Sequence, residues 1–238
     1  MRISRTSDVA IVGGGIVGLS TSYFLNKNGL STVVIDPDPV GQHASGLAYG
    51  GLSALVGPGP TQYLAQEGMR IHREFSESLP VQTGTNTESR YRPSLTLVLS
   101  ELDVMSSKNA MIWNNAQDGY RVEWVEPENI SSIEPRITSS TFGALYTEGQ
   151  ADLEPYRSVL SLAQATQQNG TVSVRDRVTG LKFQNNNLIH VLTKSGPIAA
   201  KHVVLAMGPW ANHASPWVGW NIPISPLKGQ ILRLRSPG

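Results

Sequence analysis

The sequence has no cysteine among its 238 residues. This absence excludes disulfide bonds, thiolate metal sites and a cysteine nucleophile, and it is consistent with the cytoplasmic location that we expect. Excess charge is also absent, because 19 Lys and Arg oppose 18 Asp and Glu to leave a net charge of +1. This balance gives no electrostatic reason to expect nucleic acid or an anionic membrane surface as a partner.

Long hydrophobic runs are missing too. No stretch approaches the roughly 20 apolar residues that a membrane-spanning helix needs. The N-terminal segment MRISRTSDVA runs into a glycine-rich turn too soon to hold a signal-peptide core and a cleavage site. We therefore predict a protein that is neither secreted nor inserted in a membrane. Its 23 glycines, 15 prolines and hydrophobic fraction of 39% indicate a globular chain with many turns.

The segment DVAIVGGGIVGLSTSYFLNKNGLSTVVIDPD, residues 8–38, places a glycine-rich turn between two apolar runs. DVAIV at 8–12 predicts a buried strand, residues 16–28 a helix, and STVVID at 31–36 a second buried strand. Strand, helix and strand within some thirty residues make a βαβ unit.

Three glycines of this turn have the spacing of a dinucleotide site. Gly13 allows the tight turn, Gly15 lets the backbone approach a pyrophosphate, and Gly18 lets helix and strand pack closely. The helix that begins near Ile16 would direct its free N–H groups at the phosphates, and the Asp36 carboxylate could accept hydrogen bonds from ribose hydroxyls. The simpler alternative is that these glycines only form a tight turn. The flanking strands, the helix and the acidic residue favour dinucleotide binding instead. No Walker lysine follows, which disfavours a P-loop nucleotidase.

The rest of the chain predicts further alternation of helices and strands. Residues 41–60 are expected to form a loop of small residues. The following helix, 61–79, is expected to bury Leu64, Met69, Ile71 and Phe75. We also predict helices at 108–117 and 154–170, and strands at 91–100, at 143–149, within 171–196 around an NNN turn, and at 202–208.

Several segments together resemble the FAD-dependent D-amino-acid oxidase superfamily, especially its glycine oxidase, sarcosine oxidase and D-amino-acid dehydrogenase branch. The similar segments follow the family's order along nearly the whole chain: VAIVGGGIVGLSTSYFL, ASGLAYGGL (44–52), GALYTEGQADLEPY (143–156), VTGL (178–181), VVLAMGPWA (203–211) and PLKGQILRL (226–234). The glycine motif alone does not separate NAD from FAD. The resemblance favours FAD.

The resemblance implies an α/β fold of two domains. A Rossmann-like FAD-binding domain with a parallel sheet would comprise 1–85 and 151–215. An α+β substrate domain with a mainly antiparallel sheet would comprise 86–150 and 216–238. Because family members continue further, we expect this second domain to be partial, the chain to be C-terminally incomplete, and strands ending at Arg235 to leave an unpaired sheet edge.

The resemblance also implies which residues contact FAD. Gly13, Gly15 and Gly18 would form the pyrophosphate turn, and Asp36 would bind the adenosine ribose. The remaining contacts would be Ala44 and Ser45 at the pyrophosphate, Gly50, Gly51 and Leu52 near the isoalloxazine edge, Val178 at adenine, and Ala206, Gly208 and Trp210 where a strand end turns beside the cofactor. Many relatives have Asn, or a His linked to flavin, at the position of Ala48. Since Ala48 cannot form that bond and cysteine is absent, we expect non-covalent FAD.

The implied reaction is oxidation of the C–N bond of an amino acid or N-methyl amine. Hydride would pass from the α C–H of the neutral amine to flavin N5, and the imine product would hydrolyse. The catalytic residues stay unknown, and no metal is expected. Five side chains are pocket candidates by type or position only, and each also fits a surface or packing role: Tyr91, Arg92, Arg121, Trp124 and Lys228. His43 is expected to be a solvated loop imidazole.

Two other functions are compatible with the same residues. A flavin-binding protein without catalysis, or an inactive truncated remnant, would carry the same motifs. An NAD-dependent dehydrogenase would share the glycine turn but bind nicotinamide instead of a yellow flavin.

Overall fold

The computed structural model describes residues 6–117, 119–138, 140–185 and 187–232. The chain forms two compact units. The first comprises Met1–Tyr49, Leu79–Thr87 and Pro155–Gly238, and the second comprises Gly50–Ser78 and Glu88–Glu154. These bounds differ from the predicted domains over the described residues, because 50–78 lies in the second unit and 216–232 lies in the first. Residues 233–238 are outside the described part of the chain.

A parallel sheet forms the centre of the first unit, with its strands in the order β13-β1-β2-β9. The strands are β1 (Ser7–Val12), β2 (Thr32–Asp36), β9 (Val172–Arg175) and β13 (Ala200–Leu205), and the helices are α1 (Ile16–Lys27) and α5 (Pro155–Gln168). The predicted βαβ unit is confirmed to within about a residue at each end. Strand β1 is central, and Ala10 and Ile11 on it are fully buried.

The apolar side chains of β1 and β2 are buried on both faces of this sheet. Alternate side chains point to opposite faces of a strand. Accordingly Ala10 and Val33 pack in one buried cluster with Val178, Val191 and Ile198. On the other face, Val9, Ile11 and Val34 form a second cluster with Leu25 of α1. A strand covered on both sides needs apolar residues at successive positions, which explains why neither run alternates.

A three-stranded antiparallel sheet covers the first of these faces. It consists of β10 (Val178–Gln184), β11 (Asn187–Thr193) and β12 (Gly196–Ile198). After the short helix α6 (Ser215–Val218), residues 221–232 form neither helix nor strand. The unpaired sheet edge that we expect from strands ending at Arg235 lies at residues outside the described part of the chain.

The second unit contains two small antiparallel sheets, as expected for its mainly antiparallel character. One has the order β3-β8-β4 and the other β5-β7-β6. The strands are β3 (Gly51–Leu52), β4 (Arg90–Tyr91), β5 (Ser94–Val98), β6 (Val122–Val125), β7 (Gly143–Thr147) and β8 (Ala151–Asp152). The predicted strand at 91–100 is divided between β4 and β5, because Pro93 interrupts it.

The described residues contain three further α-helices, α2 (Pro60–Thr83), α3 (Val104–Asn115) and α4 (Pro127–Ile133), and two short 3-10 helices, Glu101–Asp103 and Gly208–Ala214. Helix α2 is longer than predicted. Met69 and Phe75 are buried as expected, and Ile71 is half-buried, but Leu64 is 68% exposed. Leu64 precedes Met69 by five positions, which is about 140° around a helix with 3.6 residues per turn, so the two side chains lie on different faces.

Candidate functional site

The glycine turn joins β1 to α1 in the first unit. Gly13 has a φ of +112°, a left-handed conformation that disfavours other residues. A Cβ on Gly13 would overlap the carbonyl oxygen of Ala206, and a Cβ on Gly18 would overlap the carbonyl oxygen of Gly13. The Gly13 N–H donates to the Ile35 carbonyl at 2.9 Å. The turn is therefore pressed between β13 and α1, with no space for side chains at two of its glycines.

The N-terminus of α1 is open to an anion. The Ile16 N–H donates to Ser45 Oγ at 3.0 Å. Within the described residues, the N–H groups of Gly15 and Val17 have no protein acceptor, and the first turn of α1 contains no acidic residue. Free amides and the positive end of the helix dipole together favour a phosphate at such a position.

Asp36 stands at the end of β2 beside this turn. Its Oδ2 accepts from the Gly14 N–H at 2.7 Å, and its Oδ1 accepts from the Asp38 N–H at 2.9 Å. A carboxylate offers about four acceptor positions, so each oxygen retains capacity for a sugar hydroxyl. The two backbone bonds hold the carboxylate beside the glycine turn.

The loop after β2 brings His43 to the same site. His43 Nε2 lies 2.9 Å from Asp38 Oδ2. The His43 ring also meets the Trp210 ring edge to face, with 4.8 Å between centroids. His43 therefore lies in a loop with 42% of its side chain exposed, as expected, and it also contacts a carboxylate and an indole.

The turn before β10 places Arg177 and Val178 at the site. Asp176 accepts from Thr193 Oγ1 at 2.5 Å and from the backbone N–H groups of Arg177 and Ser195 at 2.7 and 3.0 Å. These bonds hold the pKa of the Asp176 carboxyl at about 2. The Asp176 carboxylate thus fixes the turn on one side, and the buried Val178 side chain anchors its end in the core.

These segments enclose a cavity of about 660 Å³ in the first unit, a size typical of small-molecule and cofactor sites. Nine predicted contacts line it: Gly13, Gly15, Asp36, Ala44, Ser45, Val178, Ala206, Gly208 and Trp210. Gly18 is not in its wall and acts behind it, where α1 meets the turn. Gly50, Gly51 and Leu52 belong to the second unit and are absent from the described lining.

Sequence reasoning missed other lining residues: Gly14, His43, Arg177, Met207, His213 and Trp217. Gly14 could have been found from the triple glycine, since a side chain there would crowd Asp36. Arg177 and Met207 directly adjoin predicted contacts. His213 and Trp217 follow the strand-end segment at spacings with no recognisable motif, so nothing in the sequence indicates them.

The cavity fits a dinucleotide with free ribose hydroxyls. Free amides at α1 suit a diphosphate, and Ser45 Oγ, which accepts from Ile16, still has its own proton to donate. The Asp36 carboxylate suits a ribose and would repel a phosphate on it. The Trp210 and Trp217 rings offer apolar surface for a planar ring. FAD has all of these parts.

The five pocket candidates do not line this cavity. Arg92 pairs with Asp152 at 3.2 Å, and Arg121 pairs with Glu123. Lys228 is exposed in the segment without regular structure. The remaining two are aromatic rings beneath cations, Tyr91 under Arg73 at 5.0 Å and Trp124 under Lys108 at 4.6 Å. Each interaction accounts for its residue by packing or surface pairing.

Across residues 6–117, 119–138, 140–185 and 187–232, no group of three or more His, Asp or Glu side chains could hold a metal ion. Over the same ranges, none of the helices combines the length and apolar character needed to cross a membrane.

Comparison with known proteins gives consistent matches. The DAO family, described as FAD dependent oxidoreductase, matches residues 8–238. The chain is 26% identical over 235 residues to the glycine oxidase of Bacillus licheniformis, covering 97% of this chain and 62% of that protein. It is 28% identical over 236 residues to the bifunctional protein ThiO/ThiG of Nostoc sp., covering 98% of this chain and 35% of that protein. The chain thus spans about a third to three fifths of the length of these relatives.

Solved structures show the same fold. The crystal structure of glycine oxidase from Geobacillus kaustophilus matches with a TM-score of 0.85 at 24% identity, covering 91% of this chain and 59% of that one. Dithionite-reduced L-alpha-glycerophosphate oxidase from Mycoplasma pneumoniae, with FAD bound, matches with a TM-score of 0.75 at 20% identity, covering 90% of this chain and 57% of that one. At these identities the similarity establishes the fold.

Proposed function

Because the chain belongs to the DAO family of FAD dependent oxidoreductases, we propose that its first unit binds FAD non-covalently and serves the oxidation of an amino acid or N-methyl amine. The observation that carries the proposal is the joint geometry of the α1 amides, Ser45 and Asp36 around one cavity. Glycine oxidase among the relatives supports an amino acid as substrate.

Different residues of the cavity would contact different parts of the cofactor. The amides of Gly15 and Val17 and the Ser45 hydroxyl would hold the diphosphate, and Asp36 would hold the adenosine ribose. Val178, Ala206, Gly208 and Trp210 would form the walls, with Ala44 beside the diphosphate. The contacts expected from Gly50, Gly51 and Leu52 with the flavin ring stay predictions.

When bound, FAD supplies a hydride acceptor for the α C–H of a neutral amine, whose imine product then hydrolyses to a carbonyl compound and an amine or ammonia. The chain's own part is binding and orientation. Pre-formed amide and carboxylate contacts lower the ordering cost of a flexible dinucleotide. Ala48 has only a methyl group, which supports a cofactor held without a covalent bond. Cytoplasmic location and the lack of a nucleic-acid partner stay predictions from composition.

A second candidate is a flavin-binding protein without amine oxidation. The observation that favours it is that the contacts assigned within the cavity all serve the cofactor and none of them is assigned to an amine. Such a protein would use the same cofactor site, but it would not oxidise an added amine.

A visible spectrum and ligand titrations test the proposal. We expect purified protein, alone or after incubation with FAD, to show flavin absorbance. Denaturation should release this flavin from the precipitated protein into the supernatant. Asp36→Asn, which removes a charged acceptor, should raise the FAD dissociation constant by roughly tenfold or more. Anaerobic addition of glycine, sarcosine and D-amino acids should bleach the flavin. Bound flavin that no amine bleaches would favour the second candidate, and tight NAD binding without flavin binding would refute both.

A further inference from the structure

The loop of residues 38–46 carries Ser45 to the start of α1. Two glycines shape it: a Cβ on Gly46 would overlap the Gly41 carbonyl, and a Cβ on Gly41 would lie 2.7 Å from the Tyr156 ring. The Gly46 and Leu47 N–H groups both donate to the His43 carbonyl, at 3.0 and 3.1 Å. The backbone of His43 is therefore the centre of the turn that presents Ser45.

The His43 side chain fixes this turn from two directions. Its Nε2 is 2.9 Å from Asp38 Oδ2 at the start of the loop. Its ring lies 4.8 Å from that of Trp210, which follows β13. The Asp38 N–H in turn donates to Asp36 Oδ1. A continuous series of contacts thus connects the ribose-binding carboxylate, the loop and the strand-end segment.

We propose that His43 is a positioning residue for the FAD site, which holds Ser45 and the loop in their binding geometry through Asp38 and Trp210. The inference rests on the FAD binding proposed above. His43 also lines the cavity, so its charged form would add a cation to a wall that faces a diphosphate.

If His43 acts through its charge, FAD affinity should depend on pH, which a purely structural role would not require. A histidine side chain can carry a positive charge. A charged His43 would attract Asp38 more strongly and would favour an anion in the cavity, so FAD affinity should be higher in acidic than in neutral solution. The titratable and charged side chains around His43 in the described cavity and loop are Asp36, Asp38, Arg177, His213 and Tyr156. Of these, His213 is the second histidine and must be tested separately.

Two variants separate the two contacts. His43→Gln retains a hydrogen-bonding group for Asp38 but loses the ring and the charge, whereas His43→Phe retains the ring beside Trp210 but loses the carboxylate contact. Dissociation constants for FAD are measured on the full chain by quenching of flavin and tryptophan fluorescence from pH 5.5 to 8. The His43–Asp38 pair is about 40% exposed on both side chains. Since an exposed pair contributes little, we expect each variant to weaken binding by about threefold to tenfold at the acid end.

The controls are His202→Gln, an exposed histidine on β13, and His213→Gln in the cavity wall. The inference requires that both His43 variants lose the rise in affinity at low pH, that His202→Gln retains it, and that all variants keep the wild-type circular dichroism spectrum without FAD. Unchanged FAD affinities and pH profiles in both His43 variants would overturn it, as would a pH dependence that only His213→Gln removes. If the wild-type chain binds no FAD at any pH, the proposed function fails instead.

Discussion

Gly18 shows how one missing side chain sets the geometry of the site. It lies in the first turn of α1, where its Cα faces the Gly13 carbonyl oxygen and a Cβ would also come within 3.2 Å of Ile11 Cγ2. The close contact presses α1 onto β1 and aims the free amides of the helix at the cavity. The overlap with the Gly13 carbonyl oxygen cannot be relieved by rotating a side chain, because that oxygen belongs to the backbone.

Substitution Gly18→Ala should therefore destabilise the protein despite the better helix propensity of alanine. We expect a loss of about 1–3 kcal/mol, typical of overpacking, measured as the free energy of unfolding in urea. The matched control is Gly68→Ala in α2, where nothing lies within 4 Å of the added Cβ. That variant should be neutral or more stable by about 0.5–1 kcal/mol. Equal effects at the two positions would contradict the packing argument.

At the scale of whole elements, a cluster of hydroxyl groups connects α1, β2 and the residue directly before β9. Ser22, Thr32 and Thr171 hydrogen-bond to one another at 2.8–2.9 Å. Thr171 Oγ1 donates to Asn26 Oδ1, and Asn26 Nδ2 donates to Thr32 Oγ1 at 3.1 Å. The three hydroxyl residues are almost completely buried. Buried polar groups of this kind stabilise only while every partner is present.

Thr171→Val preserves the shape of the side chain and removes its hydroxyl. Because Ser22, Thr32 and Asn26 then lose a buried partner, we expect a loss of about 1–3 kcal/mol in the free energy of unfolding. Thr179→Val is the control, since that hydroxyl is exposed and makes a 3.3 Å bond to the Leu192 carbonyl. It should change stability by no more than about 0.5 kcal/mol. A cost for Thr179→Val as large as that for Thr171→Val would show that the cluster is unimportant.

At the scale of the whole molecule, both units carry carboxylates that favour the folded state when ionised. In the first unit the Thr193 hydroxyl bond holds the pKa of Asp176 at about 2, and the Lys201 bond lowers the pKa of Asp8. In the second unit the Arg136 bond holds the pKa of Glu134 at about 2. A carboxyl group whose pKa is lower when folded contributes stability above its unfolded pKa, and this stability is lost as pH falls through the folded pKa.

The protein should consequently lose stability between about pH 4.5 and 2. We expect the urea midpoint, followed by circular dichroism, to fall across that window. Asp176→Asn should have a lower midpoint at pH 6 and a smaller further fall on acidification. Glu77→Gln, which alters an exposed carboxylate of α2, should reproduce the wild-type curve. A wild-type midpoint that stays constant down to pH 2.5 would refute the role of these groups.

Local patterns predicted the βαβ unit and nine residues of the cavity wall, because glycine spacing and continuous apolar runs are properties of short segments. The sequence could not show that His43 meets Trp210, since that contact joins positions far apart in the chain. Nor could it place Leu64, because an apolar residue is compatible with either helix face until the neighbouring elements are known. The division of 50–78 and 216–232 between the units likewise depends on tertiary contacts.

The position of β1 between β2 and β13 has a consequence for synthesis on the ribosome. Strands β1 and β13 are far apart in the chain: the ion pair between Asp8 of β1 and Lys201 of β13 joins residues 193 positions apart. At translation rates of roughly 5–20 residues per second, the central strand waits on the order of 10–40 s for its second neighbour. During that interval one side of β1 offers unpaired amide and carbonyl groups, so the nascent chain is most vulnerable to aggregation before its last parallel strand emerges.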